Sequence, residues 1–186
     1  MDKNRLIQEL ISDTEEIVAT VESNFLSLDQ DQLTARPAPD RWSILECIEH
    51  MNIANAHYIH QFDDKLPAAK PTMKASKFKP GIMGNYFVKM IKPKSDERIP
   101  SPMKTMKKFI PELKVNDNTI RNFLTDQEGI IKALELSKQL DLNKIKITSA
   151  IGPIVTFKLG DAFRFLIGHN QRHIIQAKRV LENLYP

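Results

Sequence analysis

The chain has 186 residues, 41% apolar and 27% charged, with a formal net charge of +4 at pH 7. That length buries a core without cross-links, and the composition is that of a globular protein rather than a disordered or fibrous one. No apolar run approaches a membrane span, and the single cysteine, Cys47, excludes an internal disulfide.

A single domain over residues 1–186 is expected. Met1-Asp2-Lys3 leads directly into an amphipathic pattern rather than a signal peptide. With one cysteine and no membrane span, cytoplasm is the expected compartment and no membrane partner is expected.

Lys3 to Leu28 reads as the first helix. Leu6, Ile7, Leu10, Ile11, Thr14, Ile17, Val18, Val21 and Phe25 recur at the i, i+3, i+4, i+7 spacing of one buried face. Pro37 and Pro39 then forbid a continuing helix, and Asp31 to Arg36 is expected to form a short turn. A second long helix is expected from Trp42-Ser43 to about Leu66, with Ser43 as N-cap and Glu46 completing a capping box. Its apolar face runs from Ile44 and Leu45 through Ile48, Met51, Ile53, Ala54 and Tyr58 to Phe62. His50, His57 and His60 lie on the same helix.

From about residue 67 to 114 the periodicity dissolves. Residues 65–114 hold seven of the eleven prolines and 13 Lys or Arg against three acidic residues, so the rest of the chain is net acidic. Only Ile82 to Ile91 has the pattern of a short helix. Crossovers this long inside a domain are usually functional covers or mobile segments. A basic segment also attracts anionic ligands or nucleic acid, but its aromatic interleaving (Phe78, Tyr86, Phe87) is thin, so nucleic acid is the weakest partner reading.

Asn116 to Leu140 is the third long helix, capped by Asn116 or Asp117. Ile120, Phe123, Leu124, Ile130, Ile131, Leu134 and Leu136 form its stripe, and Gly129 weakens it locally. β-branched residues around Gly152-Pro153 suggest a loop or small hairpin over 141–158. Leu159 to Leu184 closes the chain as a fourth amphipathic helix. Together these elements predict an all-α four-helix bundle with a long crossover between its second and third helices.

His169 and His173 interrupt the apolar pattern of the last helix four residues apart, so they stack on one helical face. Two imidazoles make half a metal site, and pairs of helix histidines often make only ordinary hydrogen bonds. Bundles build metal sites from facing helices, and His50 on the second helix offers a third ligand. Three neutral imidazoles with an open fourth position is the donor set of a catalytic zinc centre.

Trp42-Ser43 followed by Glu46, Glu49 and His50, together with GHNQRHIIQ at 168–176, resembles the DinB-like superfamily. That group includes bacterial transferases of the bacillithiol and mycothiol type. The order of elements agrees over nearly the whole chain. The resemblance implies a bundle with a three-histidine divalent-metal site, and carried over position by position the ligands are His50, His169 and His173. It further implies a metal, zinc or nickel first, that activates a low-molecular-weight thiol for transfer to an electrophilic substrate, or a water for hydrolysis. The alternative is a non-enzymatic metal-binding or stress-associated binding module. A homodimer through exposed helix faces is a further expectation. Of the remaining candidates, Cys47 reads as a small buried residue rather than an extra ligand, and His57 and His60 as surface or core polar groups. Trp42 reads as a packing anchor. Arg172 is expected to point off the histidine face, with solvation favoured over an ion pair or a substrate contact.

Overall fold

Four long helices carry the core, and each forms where the sequence alternates buried and solvated faces at helical spacing. The computed structural model describes residues 1–72, 76–94, 98–99, 105–112 and 118–185. The elements in chain order are α1 (Lys3–Phe25), α2 (Gln30–Thr34), α3 (Ile44–Ala68), α4 (Ile82–Ile91), α5 (Thr119–Ser137) and α6 (Leu159–Leu184). A hairpin, β1 (Lys146–Thr148) and β2 (Thr156–Lys158), leads directly into α6. α3 and α1 each pack against both α5 and α6, so α1 and α3 stand on opposite corners of the bundle. The fold is therefore the expected all-α four-helix bundle with a long crossover between its second and third long helices. Among the described residues no helix is long and apolar enough to cross a membrane.

The core is aromatic at its centre. Phe25, Phe62, Phe123 and Phe163 are fully buried, and the Phe62 and Phe163 rings join α3 to α6 with centroids 4.5 Å apart. Helix boundaries depart modestly from expectation. α1 stops at Phe25 rather than Leu28, and α5 spans Thr119–Ser137. Asn118 is the N-cap residue of α5, while the predicted caps Asn116 and Asp117 lie outside the described residues. Leu136, assigned to the buried stripe, is exposed, because the stripe turns away from the core in the last turn and Ser137 takes the inward position. The buried Lys3 ammonium donates to the carbonyls of Lys138 (2.6 Å) and Leu140 (3.3 Å), which satisfies acceptors left open beyond the end of α5.

The start of α3 is fixed by the predicted capping box. The Ser43 hydroxyl accepts from the Glu46 backbone N–H at 3.2 Å, and the Glu46 carboxylate accepts from the Ser43 N–H at 2.9 Å. The same carboxylate receives the Arg36 guanidinium, whose Nε donates to Oε2 at 2.8 Å while Nη2 bonds Oε1. Burial raises the carboxyl pKa, but the bonds from Arg36 and Ser43 outweigh it and hold Glu46 below the usual carboxylate range. One turn later on this anchored helix comes His50.

Within the crossover, α4 is docked against α6. At Gly84, in the middle of α4, an added Cβ would lie 2.5 Å from the Asp161 Cβ of α6, and at Gly160 it would lie 2.7 Å from the buried ring of Phe78. The fully buried Asp161 carboxylate accepts from the Gly81 N–H at 2.6 Å and from Arg164 at 2.9 Å, and Arg164 also donates to Asn85 of α4 at 3.1 Å. Lys92, just beyond α4, pairs with Asp13 of α1 at 3.1 Å. Close backbone approach is therefore what seats α4, and it makes two helical glycines behave oppositely. Gly84→Ala should lower stability by about 1–3 kcal/mol through overpacking. Gly129→Ala, where nothing lies within 4 Å of the added carbon, should raise it by roughly 0.5–1 kcal/mol. Urea denaturation of both variants checks the pair, and equal shifts would contradict the packing account.

Candidate metal centre

His50 comes from α3, and His169 and His173 from α6, the two helices whose cores interlock through Phe62 and Phe163. The three side chains converge, and one ring nitrogen from each lies within 4.8 Å of the others. His50 Nε2 and His169 Nε2 are 3.1 Å apart. All three imidazoles are buried, with 5–9% of their surface exposed. Trp42, at the entry to α3, lies over the cluster with its ring 4.9 Å from that of His50 and 6.1 Å from that of His173.

Hydrogen bonds set the tautomers of His50 and His173. His50 Nδ1 lies 2.7 Å from the Phe109 carbonyl. A carbonyl only accepts, so Nδ1 carries the proton and the Nε2 lone pair is turned to the cluster. His173 Nδ1 stands 3.0 Å from Gln176 Oε1, which frees its Nε2 in the same way. Burial lowers the pKa of all three. For His50 it prevails over the bond to Phe109, which favours the charged form. His169 is pushed down to about 3 by burial and then by His50. His173 is held well below its ordinary value by burial, then by His169 and His50. Three neutral imidazoles, two of them with the Nε2 lone pair turned to the cluster and the third, His169, with a buried Nδ1 that has no hydrogen-bond partner, are donors suited to a metal. In tetrahedral zinc geometry, two nitrogens at about 2.0–2.1 Å from the metal stand roughly 3.3 Å from each other, close to the observed 3.1 Å for one pair. Together these residues could hold one metal ion.

The cluster forms part of the wall of a cavity of about 1010 Å³. α3 contributes Tyr58 besides His50, the hairpin loop contributes Ala150 and Ile151, and the crossover contributes Phe109 and Ile110. The crossover thus covers the site, one of the alternatives open from sequence.

The remaining candidates separate cleanly. Cys47 is fully buried, its thiol pKa raised by burial, and it belongs to the core. His57 bonds the Thr148 carbonyl at 2.9 Å, which ties α3 to the hairpin, and His60 is exposed. Arg172 corrects expectation: it is 7% exposed and lines the cavity. α6 is enclosed by α1, α3 and α4, so a residue beside the histidine face still points into protein. Asn170, with no role assigned from sequence, is fully buried and donates to Gln127 of α5 at 3.4 Å.

Two further contributors were absent from the sequence reading. Gln176 follows His173 by three residues, so the neighbour rule for helices could have found it. The Phe109 carbonyl could not have been found, because a backbone group leaves no side-chain signature.

Because folding depresses the imidazole pKa values, the unfolded chain binds protons more readily below their ordinary 6.5. The stability that these groups contribute is fully present above that pH and is lost as pH falls. Chelator-treated protein should therefore show a flat urea midpoint from pH 8 to about 7. Below about 6.5 it should decline, by up to about 1.4 kcal/mol per pH unit for each imidazole. A midpoint unchanged down to pH 5 would contradict burial of neutral rings.

Comparison with known proteins agrees with this geometry. No curated protein and no solved structure gives a match. A sequence-family model described as the DinB superfamily matches residues 14–177, from within α1 to within α6, and includes all three histidines. The chain belongs to the DinB superfamily.

Proposed function

We propose that the protein is a divalent-metal-dependent enzyme in which His50, His169 and His173 are the ligands, and that it acts as a thiol transferase or a related hydrolase. The observation that carries this reading is three inward-facing neutral imidazoles on the wall of a ligand-sized cavity. Structural zinc sites are closed by four protein ligands, whereas catalytic ones hold three and leave a position for a small molecule. When bound, a metal supplies Lewis acidity, which favours the deprotonated form of a thiol or a water at neutral pH.

The protein's own groups account for the rest. Phe109 and Gln176 orient His50 and His173, as acceptors behind metal-binding imidazoles commonly do. Trp42 and the crossover exclude water from one side of the cluster. The cavity is at the upper end of the volumes common for small-molecule sites. Imidazole ligands suit zinc and nickel, which makes these the first metals to test.

The test is metal content by elemental mass spectrometry, on protein expressed without an affinity tag. Wild type is expected to carry about one metal per chain, and folded His50→Ala, His169→Ala and His173→Ala variants are each expected to lose most of it. The loaded protein is then assayed for consumption of a low-molecular-weight thiol with an electrophilic partner. Wild type that stays empty after addition of zinc or nickel would remove the reading. Stoichiometric metal without turnover would leave a metal-binding module.

A further inference from the structure

Two amides stand in the bundle interior, where apolar side chains would pack without leaving polar atoms to satisfy. Gln127 of α5 and Asn170 of α6 are both fully buried. They meet across the centre of the bundle, between helices that each pack against α1 and α3.

Their orientation is set by hydrogen bonds that start at a backbone group. The Phe123 carbonyl only accepts, so Gln127 Nε2 donates to it at 3.5 Å and Oε1 is turned to α6. That oxygen accepts from Asn170 Nδ2 at 3.4 Å. Asn170 Oδ1 is thereby left as an acceptor, buried and without a hydrogen-bond partner. The residue before it is His169, whose Nδ1 is also buried and without one. Burial and His50 lower the pKa of His169, while the Asn170 side chain opposes them, as an oxygen close to the ring does.

The other ring nitrogen of His169 explains why these two atoms are unpaired. His50 carries its proton on Nδ1, so its Nε2 presents a lone pair to His169 Nε2 at 3.1 Å. That contact is a hydrogen bond only when neutral His169 holds its own proton on Nε2. Nδ1 is then a second acceptor beside the Asn170 oxygen, and both are left unmatched. To serve as a ligand, His169 has to present the Nε2 lone pair, which places its proton on Nδ1. There Asn170 Oδ1 can accept it, and both orphaned atoms become paired.

We infer that Asn170, oriented by Gln127, is the positioning residue of His169: it accepts the Nδ1 proton in the metal-binding tautomer, as Phe109 and Gln176 do for His50 and His173. This rests on the three imidazoles being metal ligands. The ring stays neutral throughout, with one proton lost from Nε2 and one gained at Nδ1.

The experiment measures zinc affinity, by competition with a chromogenic chelator, for wild type, Asn170→Leu and Asn170→Asp. Leucine fills the position without an acceptor, so zinc should bind roughly 10–100-fold more weakly, as when other groups behind ligating histidines are lost. Aspartate keeps the acceptor and should retain the wild-type affinity. A packing role alone predicts the opposite order, since a buried carboxylate disturbs a core more than leucine does. Nitrogen-15 spectra of the histidine rings give a second readout. The His169 proton should be on Nε2 in metal-free wild type and on Nδ1 once zinc is added. If Asn170→Leu fails to fold, Gln127→Met carries the test, because it frees the Asn170 amide to turn and should also weaken zinc binding.

Zinc held as tightly by the folded variant as by wild type would overturn the inference and leave the metal centre standing. A His169 proton on the same nitrogen in both forms would do the same. Wild type that binds no zinc would instead remove the metal reading and the inference with it.

Discussion

The constraint on which the rest depends is the 3.1 Å approach of His50 Nε2 to His169 Nε2, residues 119 positions apart in sequence on two helices. Two charged imidazolium rings that close together in a buried site would repel each other strongly. The fold therefore has to keep the rings neutral and hold them in register. It meets the first need by burial and the second by fixing each helix separately. α3 is pinned at its start by the box of Ser43 and Glu46, with Arg36 closing the carboxylate. α6 is pinned by Asp161 and by the aromatic contact of Phe163 with Phe62.

The crossover is the least patterned part of the sequence and one of the most consequential parts of the structure. Its first half docks on α6 wherever small residues permit close approach, at Gly84 against Asp161 and at Gly160 against Phe78. Its second half brings the Phe109 carbonyl to His50 and apolar side chains to the cavity. The same crossover that shields the imidazoles also chooses the tautomer of one of them. Its basic composition suggested an anion-attracting surface; among the described residues the arginines that line the cavity are on α6 and beside Trp42.

Much of this was legible before any coordinates. Helical periodicity located α1, α3, α5 and α6, because a bundle helix must keep one face apolar along its length. Ser43 and Glu46 marked the start of α3 because a capping box is a local hydrogen-bonding requirement written in two residues. The short helix at Ile82–Ile91 and the hairpin around Gly152-Pro153 were found for similar local reasons. Spacing placed His169 and His173 on one face, the bundle reading offered His50 as a third donor, and the family resemblance named the same three residues.

Where tertiary contact decided, local pattern was silent or misleading. Arg172 looked solvated because helical spacing says which way a side chain points but not what stands there; α1, α3 and α4 enclose that helix. Leu136 looked buried by its spacing, yet the helix end had already turned it outward. The service of the Phe109 carbonyl is a property of chain path, and any residue at that position would present the same oxygen. The sequence by itself determined the helices, their faces and the identity of the three imidazoles, since these depend on side-chain type and short-range spacing. Only the tertiary structure decided that those imidazoles meet, which nitrogen of His50 faces the cluster, and that Arg172 lines the space beside them, since each depends on contacts between segments far apart in the chain.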